Sequence, residues 1–380
     1  MMSSNQKKLG FIINPVAGLG GRVGLKGSDG KLIQLRAREL GAIPEAQDRA
    51  SDALRSLKVS IGDQVKLVTY PGEMGENTAA NCGYSPVVTG EIESGKTTAA
   101  DSRRAAQDML EHGVDLILFA GGDGTARDIC EAVGESVPVL GIPAGVKIHS
   151  AVFGVNPLSS GELAAEYLKG EIQTLQSLEV MDIDEEAYRK GIISPCLVGY
   201  LRVPYQRQLV QARKSPSPAS EEGTLQAIAL DVIDHMDDSC YIIGPGTTTQ
   251  PILNALGLKK TLIGVDVVQN RKQVMLDANE ETLLQLLENQ NAKVVVTPIG
   301  GQGFIFGRGN QQISPKVLSK IDPGNIIVIS TLEKILSLGG RPLLVDTGDR
   351  EVDQVLCRYM MVITGYGNRI VYPVKGGRII

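Results

Sequence analysis

The chain has few aromatic residues and no tryptophan. Only 4% of its 380 residues are aromatic, and its formal net charge is −5 at pH 7. Proteins that bind nucleic acids present a basic surface, and those that bind single strands stack the bases on aromatic side chains. Both features are scarce here, so we expect no nucleic-acid partner.

Histidine and cysteine are also scarce, and their spacing fits neither a metal centre nor a disulfide framework. The three histidines have no metal-ligand spacing, and the five cysteines are scattered without a Cys-x-x-Cys pair. This usage indicates reduced thiols in a cytoplasmic protein, and it leaves the ligands of any metal unknown. The cysteines are Cys82, Cys130, Cys196, Cys240 and Cys357.

Long apolar runs are missing as well. No run reaches the length that crosses a bilayer, and Met1 to Lys8 is polar, unlike the apolar segment of a signal peptide. We therefore expect a soluble cytoplasmic protein with no membrane partner. Because 380 residues exceed one ordinary hydrophobic core, we also expect two domains.

The most informative feature that is present is the segment from Leu116 to Thr125. An apolar run ends at three glycines around one aspartate, and Ala126 to Val133 continues with a helical pattern. A strand, a glycine turn and a helix together present backbone N–H groups to a phosphate. The glycines would leave room for a polyphosphate because they lack a Cβ atom.

Asp123 is unusual in such a turn because a carboxylate repels phosphate. It is suited to holding Mg²⁺ or to taking a proton from a hydroxyl group that is about to be phosphorylated. The alternative interpretation is a tight strand-to-helix turn with an aspartate at the start of the helix.

Apolar strands alternate with helical segments along the first part of the chain. This pattern predicts a mostly parallel α/β sheet with three glycine turns at the carboxyl ends of its strands, where such sheets bind ligands. We predict a first α/β domain over 1–156 and a second, mixed α/β domain over 157–380. The strands of the first domain are predicted at Leu9–Ile13, Val65–Thr69, Leu116–Phe119 and Val137–Ile142.

Four segments together resemble a known group of kinases. Gly121-Gly-Asp-Gly-Thr125 is similar to the signature of the superfamily of NAD kinases, lipid kinases and phosphofructokinases. Gly141–Gly145 looks like the second glycine segment of NAD kinases, and Asp238–Thr248 like their Gly-Ser/Thr-Thr turn. Asn14-Pro15, with the glycines behind it, resembles the first nucleotide loop. The whole chain looks most like a bacterial branch described as ATP- or polyphosphate-dependent NAD kinase-like, which includes a protein associated with acetoin catabolism.

The resemblance implies a role for each matching position. Asp123 would act on the 2′-hydroxyl of NAD, with ATP or polyphosphate as donor, Mg²⁺ as cofactor and NADP as product. A homo-oligomer is common among such enzymes. The phosphates or the nucleotide would be contacted by Asn14, Gly18, Gly121, Gly122, Gly124, Thr125, Gly145, Gly246, Thr247 and Thr248.

One departure leaves the acceptor open. NAD kinases carry an Asn-Glu pair early in the second domain, whereas the only such pair here, Asn279-Glu280, comes later and reads as a helix N-cap. A kinase for another small hydroxyl compound, or a nucleotide-binding regulatory protein without turnover, therefore remain alternatives.

Several further positions keep two interpretations. Lys147 contacts a phosphate or is a solvated surface lysine, and the turn at 244–249 binds the nucleotide or is merely capped by its threonines. Gly300–Asn310 is a third phosphate loop with Arg308 as anion clamp, or a glycine-bent hairpin near the cleft. Asp128 is expected to be a solvated charge in the first turn of a helix.

Overall fold

The computed structural model describes residues 6–25, 30–145, 148–183, 195–206, 209–210, 222–299 and 301–376. These residues form two α/β domains, each built on its own sheet, with an antiparallel hairpin attached to the first. The predicted fold class is confirmed. Within the described ranges, every helix is too short or too polar to cross a membrane.

The first sheet has five parallel strands in the order β3-β2-β1-β4-β5. Its central strands are the apolar runs, because a strand covered by helices on both faces is buried throughout. The strands are β1 Lys7–Ile13, β2 Val65–Thr69, β3 Val87–Val88, β4 Leu116–Gly121 and β5 Val139–Pro143. The helices are α1 Lys31–Glu39, α2 Ala46–Ile61, α3 Glu76–Asn81, α4 Ala99–Glu111, α5 Asp123–Val133 and α6 Pro157–Lys169.

This strand order reverses direction between β1 and β4. The chain moves from β1 outward to β2 and β3, and then returns to the other side of β1 to form β4 and β5. In open parallel sheets, ligands bind outside the carboxyl ends of the strands at such a reversal. Asn14 follows β1 and Gly122 follows β4, so the two predicted glycine loops meet at this point.

Local sequence signals explain where several helices begin. The sequence Thr98-Ala-Ala-Asp101 predicts a capping box at the start of α4, and in the structure the Asp101 carboxylate accepts from the N–H and the hydroxyl of Thr98. Asn156 accepts from the Ser159 N–H, and Pro157 occupies the first turn of α6. Within α6, Gly161 lets the helix approach α2 closely, because a Cβ atom there would lie 2.1 Å from the Ala53 carbonyl oxygen.

The first hydrophobic core continues past residue 156. It includes side chains from α6 and from a hairpin of β6 Leu175–Ile183 and β7 Pro195–Pro204. Leu163 and Leu201 are examples of fully buried side chains from these elements. The first core therefore reaches beyond the predicted domain boundary, since α6 covers α2 and the hairpin packs against the α5 side of the sheet.

The second sheet has nine strands in the order β10-β9-β8-β11-β13-β15-β16-β14-β12. Strands β8, β11, β13 and β15 are neighbouring and parallel, so their carboxyl ends share one edge. The strands are β8 Cys240–Ile243, β9 Asp266–Gln269, β10 Lys272–Met275, β11 Ala292–Val296, β12 Phe304–Phe306, β13 Ile326–Ile329, β14 Leu343–Val345, β15 Tyr359–Gly365 and β16 Asn368–Gly376. The helices are α7 Glu222–Asp234, α8 Gln250–Ala255, α9 Glu280–Leu287, α10 Pro315–Leu318, α11 Leu332–Leu336 and α12 Arg350–Leu356.

A buried ion network joins the domains. Asp346 lies between Arg49 of the first domain, 2.6 Å away, and Arg308 of the second, 3.2 Å away. Burial lowers the pKa of Arg308 to about 10, and the nearby charge of Arg49 adds to this effect while Asp346 opposes it. Burial alone would raise the pKa of Asp346, but the two guanidinium groups outweigh it, so that the net pKa lies below the ordinary value.

Candidate active site

Asp123 lies at the carboxyl edge of the first sheet, at the first position of α5. Strand β4 is buried along its whole length, and the backbone is still extended at Gly122 before the helix begins. The turn at 122–124 is only partly buried, whereas Gly121 and Thr125 on either side of it are buried. The sequence of apolar strand, glycine turn and helix therefore places this one carboxylate at the partly exposed carboxyl edge of the sheet.

The carboxylate of Asp123 is held by the segment just beyond β5. Its Oδ2 atom accepts a hydrogen bond from the His149 N–H at 2.7 Å, and its Oδ1 atom accepts one from the Ser150 N–H at 2.9 Å. The ring nitrogen Nδ1 of His149 lies 3.2 Å from Oδ2. Because its side chain is 11% exposed, Asp123 has a fixed orientation and keeps an accessible edge.

The segment that holds Asp123 is itself fixed by the hairpin. The Ser150 hydroxyl donates to the Met181 carbonyl at 3.1 Å and accepts from the Met181 N–H at 3.0 Å. The Ala151 N–H donates to the Glu179 carbonyl in the same strand. Strand β6 therefore acts as a brace that sets the direction of the two N–H groups on the carboxylate.

Asn14 connects the first glycine loop to the turn after β4. Its Nδ2 atom donates to the Thr125 hydroxyl at 2.9 Å, and its Oδ1 atom accepts from the Val16 N–H. A Cβ atom at Gly121 would lie 2.4 Å from the Thr125 side chain. Glycine at 121 is thus required by the packing of Thr125, and its contact with a phosphate stays a prediction.

The three glycine loops of the first domain contact one another. The Gly121 carbonyl accepts from the N–H groups of Ala144 and Gly145, which joins the ends of β4 and β5. Gly18 has a φ of +82°, and a Cβ atom there would lie 2.5 Å from the Ala144 carbonyl oxygen. A side chain at Gly18 would therefore push the first loop away from the third.

The turn after β8 lies at the corresponding edge of the second sheet. The Thr249 hydroxyl closes this turn by donating to the carbonyls of Gly244 and Gly246. Thr247 is exposed, and the Thr248 hydroxyl accepts from the ammonium group of Lys334. The turn therefore contains a structural threonine, Thr249, beside the exposed Thr247 and the buried Thr248.

A buried glutamine connects the two edges. The loop after β11 contains Gln302, whose Nε2 atom donates to the Ile148 carbonyl at 3.1 Å. Ile148 directly precedes the residue whose N–H holds Asp123. This contact places the carboxyl edge of the second sheet against the segment that orients the candidate catalytic carboxylate.

The remaining predicted site residues lie in different surroundings. Arg308 is buried, stacks 4.8 Å from the Phe304 ring centre, donates to the Val155 carbonyl and pairs with Asp346. Its role as an anion clamp stays a prediction. Lys147 lies outside the described residues. Asn279 caps α9, since its side chain accepts from the Thr282 N–H as the sequence indicated.

Three residues of this region were missed by the sequence interpretation. Gln302 lies within the glycine-rich segment 300–310, so its loop was noticed but the side chain was not. Thr297 and Lys334 carried no signal, because an isolated threonine and an isolated lysine look like ordinary surface residues. His149 carried no clear signal either, because a lone histidine is more often a packing residue, yet its ring lies in contact with Asp123.

A separate cleft of about 660 Å³ lies beyond the ends of β2 and β3. Its lining contains more carboxylates than cations, and this excess of negative charge disfavours a triphosphate. The glycine turns are therefore better suited to phosphate than this cleft. Its charged lining residues are Glu91, Glu93, Asp101 and Asp108, with Lys96 and Arg104.

Asp123 is the one carboxylate at the glycine turn that could contribute to a Mg²⁺ site, and further ligands would have to come from substrate phosphates and water. Among the described residues, no group of three or more His, Cys, Asp or Glu side chains could hold a metal ion. Mg²⁺ in kinases is commonly held by one or two carboxylates together with substrate phosphates and water. The single carboxylate of Asp123 is compatible with such a site, and Mg²⁺ stays a prediction.

Family models match most of the chain. The model of the ATP-NAD kinase N-terminal domain matches residues 9–172, and that of the C-terminal domain matches residues 236–374. The chain belongs to the NAD kinase-like family. Both matches include the edges described above, with Asp123 in the first and Thr248 in the second.

Known structures and curated proteins add little to the family assignment. Two solved structures, each named as "a putative diacylglycerol kinase from Bacillus anthracis str. Sterne", are 16% and 15% identical to this chain, with TM-scores of 0.25. Each match covers 47% of this chain and 46% or 44% of the other, so the chain spans less than half their length. No curated protein is similar enough to count as a relative.

Proposed function

We propose that this NAD kinase-like protein is a cytoplasmic phosphotransferase that moves a phosphoryl group from ATP or polyphosphate to the 2′-hydroxyl of NAD. The observation that carries the proposal is the fixed carboxylate of Asp123 in a glycine turn at the reversal point of the first sheet. Family membership supports the class of reaction, and the acceptor is our inference.

The geometry suggests how the residues of the chain contribute. Phosphoryl transfer depends mainly on positioning and on neutralising charge. The N–H groups of His149 and Ser150 orient Asp123, whose remaining lone pairs accept the proton of the attacking hydroxyl. The partly buried glycine turn beside it leaves the backbone accessible to phosphate oxygens. Mg²⁺, when bound, would neutralise phosphate charge.

The direct test is NADP formation by the purified protein with Mg²⁺, NAD and either ATP or polyphosphate, followed with a coupled dehydrogenase. We expect Asp123→Asn to lower kcat by about 100-fold or more, the usual contribution of a positioned general base. Asp48→Asn, at an exposed position in the first turn of α2, serves as the matched control and should keep the wild-type rate.

The test must separate chemistry from folding because the carboxylate also has a structural contact. An amide accepts through one oxygen, so Asp123→Asn leaves one of the two N–H groups without an acceptor, at a cost of about 1–3 kcal/mol. Circular dichroism and thermal unfolding of the same samples measure that cost. A folded variant with the wild-type kcat would refute the catalytic assignment.

A different small hydroxyl acceptor is the second candidate, and one observation favours it. Asn279 of the only Asn-Glu pair is occupied in the capping box of α9, where its side chain bonds the Thr282 N–H. A panel of hydroxyl compounds, followed by ADP release, distinguishes the two. ADP release that depends on another acceptor but not on NAD would replace our first proposal.

A further inference from the structure

A lysine and two threonines come together at the carboxyl edge of the second sheet. The Nζ atom of Lys334 lies 3.0 Å from the Thr248 hydroxyl oxygen and 3.3 Å from that of Thr297. Thr248 belongs to the turn after β8, Thr297 directly follows β11, and Lys334 lies in α11, which follows β13. The segments that follow three neighbouring parallel strands therefore bring one ammonium group and two hydroxyls together.

The hydrogen-bond donors of this cluster favour the binding of an anion. Each threonine hydroxyl accepts from Lys334 and keeps its own proton, since among the described residues neither donates it to another protein group. Lysine binds phosphate as a compact positive charge, and hydroxyl groups add donors around it. Lys334 and Thr297 are only partly buried, so a ligand can reach the cluster.

The turn after β8 packs closely against Thr297 of the cluster. Gly246 has a φ of +120°, and a Cβ atom there would lie 3.3 Å from the Thr297 side chain. The neighbouring Thr247 is exposed. The backbone of this turn therefore borders the same space as the lysine and the hydroxyls.

The cluster is connected to Asp123 through a short stretch of chain. Thr297 and Gln302 are five residues apart, a separation that spans at most about 18 Å. Gln302 contacts the Ile148 carbonyl, and the next two residues hold Asp123. The cluster and the glycine turn are therefore linked through the loop that carries Thr297 and Gln302.

We propose that Lys334, Thr248 and Thr297 form a subsite on the second domain for a phosphate group of a nucleotide. This inference rests on the proposed phosphotransfer for its place in the reaction, but the binding itself does not require turnover. The phosphate belongs either to the diphosphate of the acceptor dinucleotide or to the donor, and both share the same recognition chemistry.

The test is calorimetric titration of the full-length protein with NAD alone, ATP alone and inorganic pyrophosphate alone. We expect Lys334→Met to raise the Kd of NAD or of ATP by about tenfold or more. This is the range measured for hydrogen bonds to charged groups. The ligand whose Kd changes identifies the source of the phosphate. Lys320→Met, at an exposed lysine of the same domain, is the matched control and should leave all Kd values unchanged.

A second variant guards against a folding defect. Thr297→Val keeps the shape of the side chain and removes only the hydroxyl. We therefore expect a smaller rise in the same Kd, of about three- to tenfold, which corresponds to one ordinary hydrogen bond. Raised salt should weaken ligand binding by the wild type more than binding by Lys334→Met, because the contact that the variant lacks is ionic.

The outcomes for the subsite and for the proposed reaction are separate. Loss of affinity in the two variants without any NADP formation by the wild type supports the subsite and refutes the reaction. Unchanged Kd values in both folded variants overturn the subsite even if NADP is formed. A wild-type protein that binds none of the three ligands also overturns it.

Discussion

Replacing Asp346 with asparagine should weaken the junction between the domains far more than removal of an exposed ion pair. Its carboxylate lies between two guanidinium groups, with Arg49 at 2.6 Å and Arg308 at 3.2 Å. The side chains of these three residues are at most 10% exposed. Asparagine keeps the shape of Asp346 but removes the only formal negative charge that these two arginine contacts share.

The expected cost follows from this burial. Removing one partner of a buried ion pair typically costs 3–5 kcal/mol, because the other charge stays buried without compensation. Since two guanidinium groups lose the same carboxylate, we expect Asp346→Asn to lie toward the upper end, at about 4–5 kcal/mol. By contrast, the pair of Arg350 and Asp52 spans the same two domains with side chains 65% and 36% exposed. Its loss in Arg350→Met should cost about 1 kcal/mol or less.

Urea unfolding of the wild type and both variants measures the two costs in one assay. Near-equal effects of Asp346→Asn and Arg350→Met would refute the reasoning, because they would mean that the buried network is no stronger than the exposed pair. Replacing all three network residues by apolar ones, in Arg49→Met, Asp346→Leu and Arg308→Met together, should recover much of the loss, since neither guanidinium group then stays buried without the Asp346 carboxylate.

The pH dependence gives an independent check of the same carboxylate. Its folded pKa lies below the ordinary value of 3.8, because the effect of the arginines exceeds that of burial. A depressed carboxyl pKa contributes stability that is fully present above the unfolded pKa and is lost as the pH falls through the folded pKa. The difference between wild type and Asp346→Asn should therefore be constant from about pH 5 to 8 and should shrink below about pH 4.

Two further predictions concern packing and coupling. Gly161→Ala should destabilise the protein by about 1–3 kcal/mol in urea unfolding, because its Cβ atom would meet the Ala53 carbonyl at 2.1 Å. Gly223→Ala, where the added atom meets nothing within 4 Å, should be neutral or slightly stabilising, and equal costs at both sites would contradict the packing argument. Gln302→Leu should speed amide hydrogen exchange at the two residues after Ile148, because it removes the bond that anchors this segment to the second domain. Unchanged exchange there would show that the hairpin alone fixes the segment.

The sequence predicted what is determined locally. The apolar runs became the central strands of the first sheet, and Thr98 and Asp101 formed the capping box of α4. Such features depend on residues within a few positions of each other, so their pattern can be read from the chain. The position of Asp123 beside a glycine turn was predictable for the same reason.

Contacts between distant segments could not be predicted in this way. Asp128, expected to be solvated, is buried and pairs with Arg103 at 2.8 Å. Lys334 lies 86 residues after Thr248 in the chain, yet their side chains are hydrogen-bonded. No periodic pattern in the sequence indicates either pairing. Both depend on how the helices pack and on the order of the strands in the sheet.

The surroundings of Asp123 connect the proposed reaction to both domains. In that reaction, a substrate hydroxyl would donate to a carboxylate that already accepts two backbone N–H bonds and lies beside the His149 ring. The direction of those donors is fixed by strand β6 on one side and by Gln302 of the second domain on the other. A shift of the second domain therefore changes the donors of the carboxylate without touching the carboxylate itself. A ligand that binds both domain edges would stabilise one arrangement of these donors, because only that arrangement keeps both of its contacts.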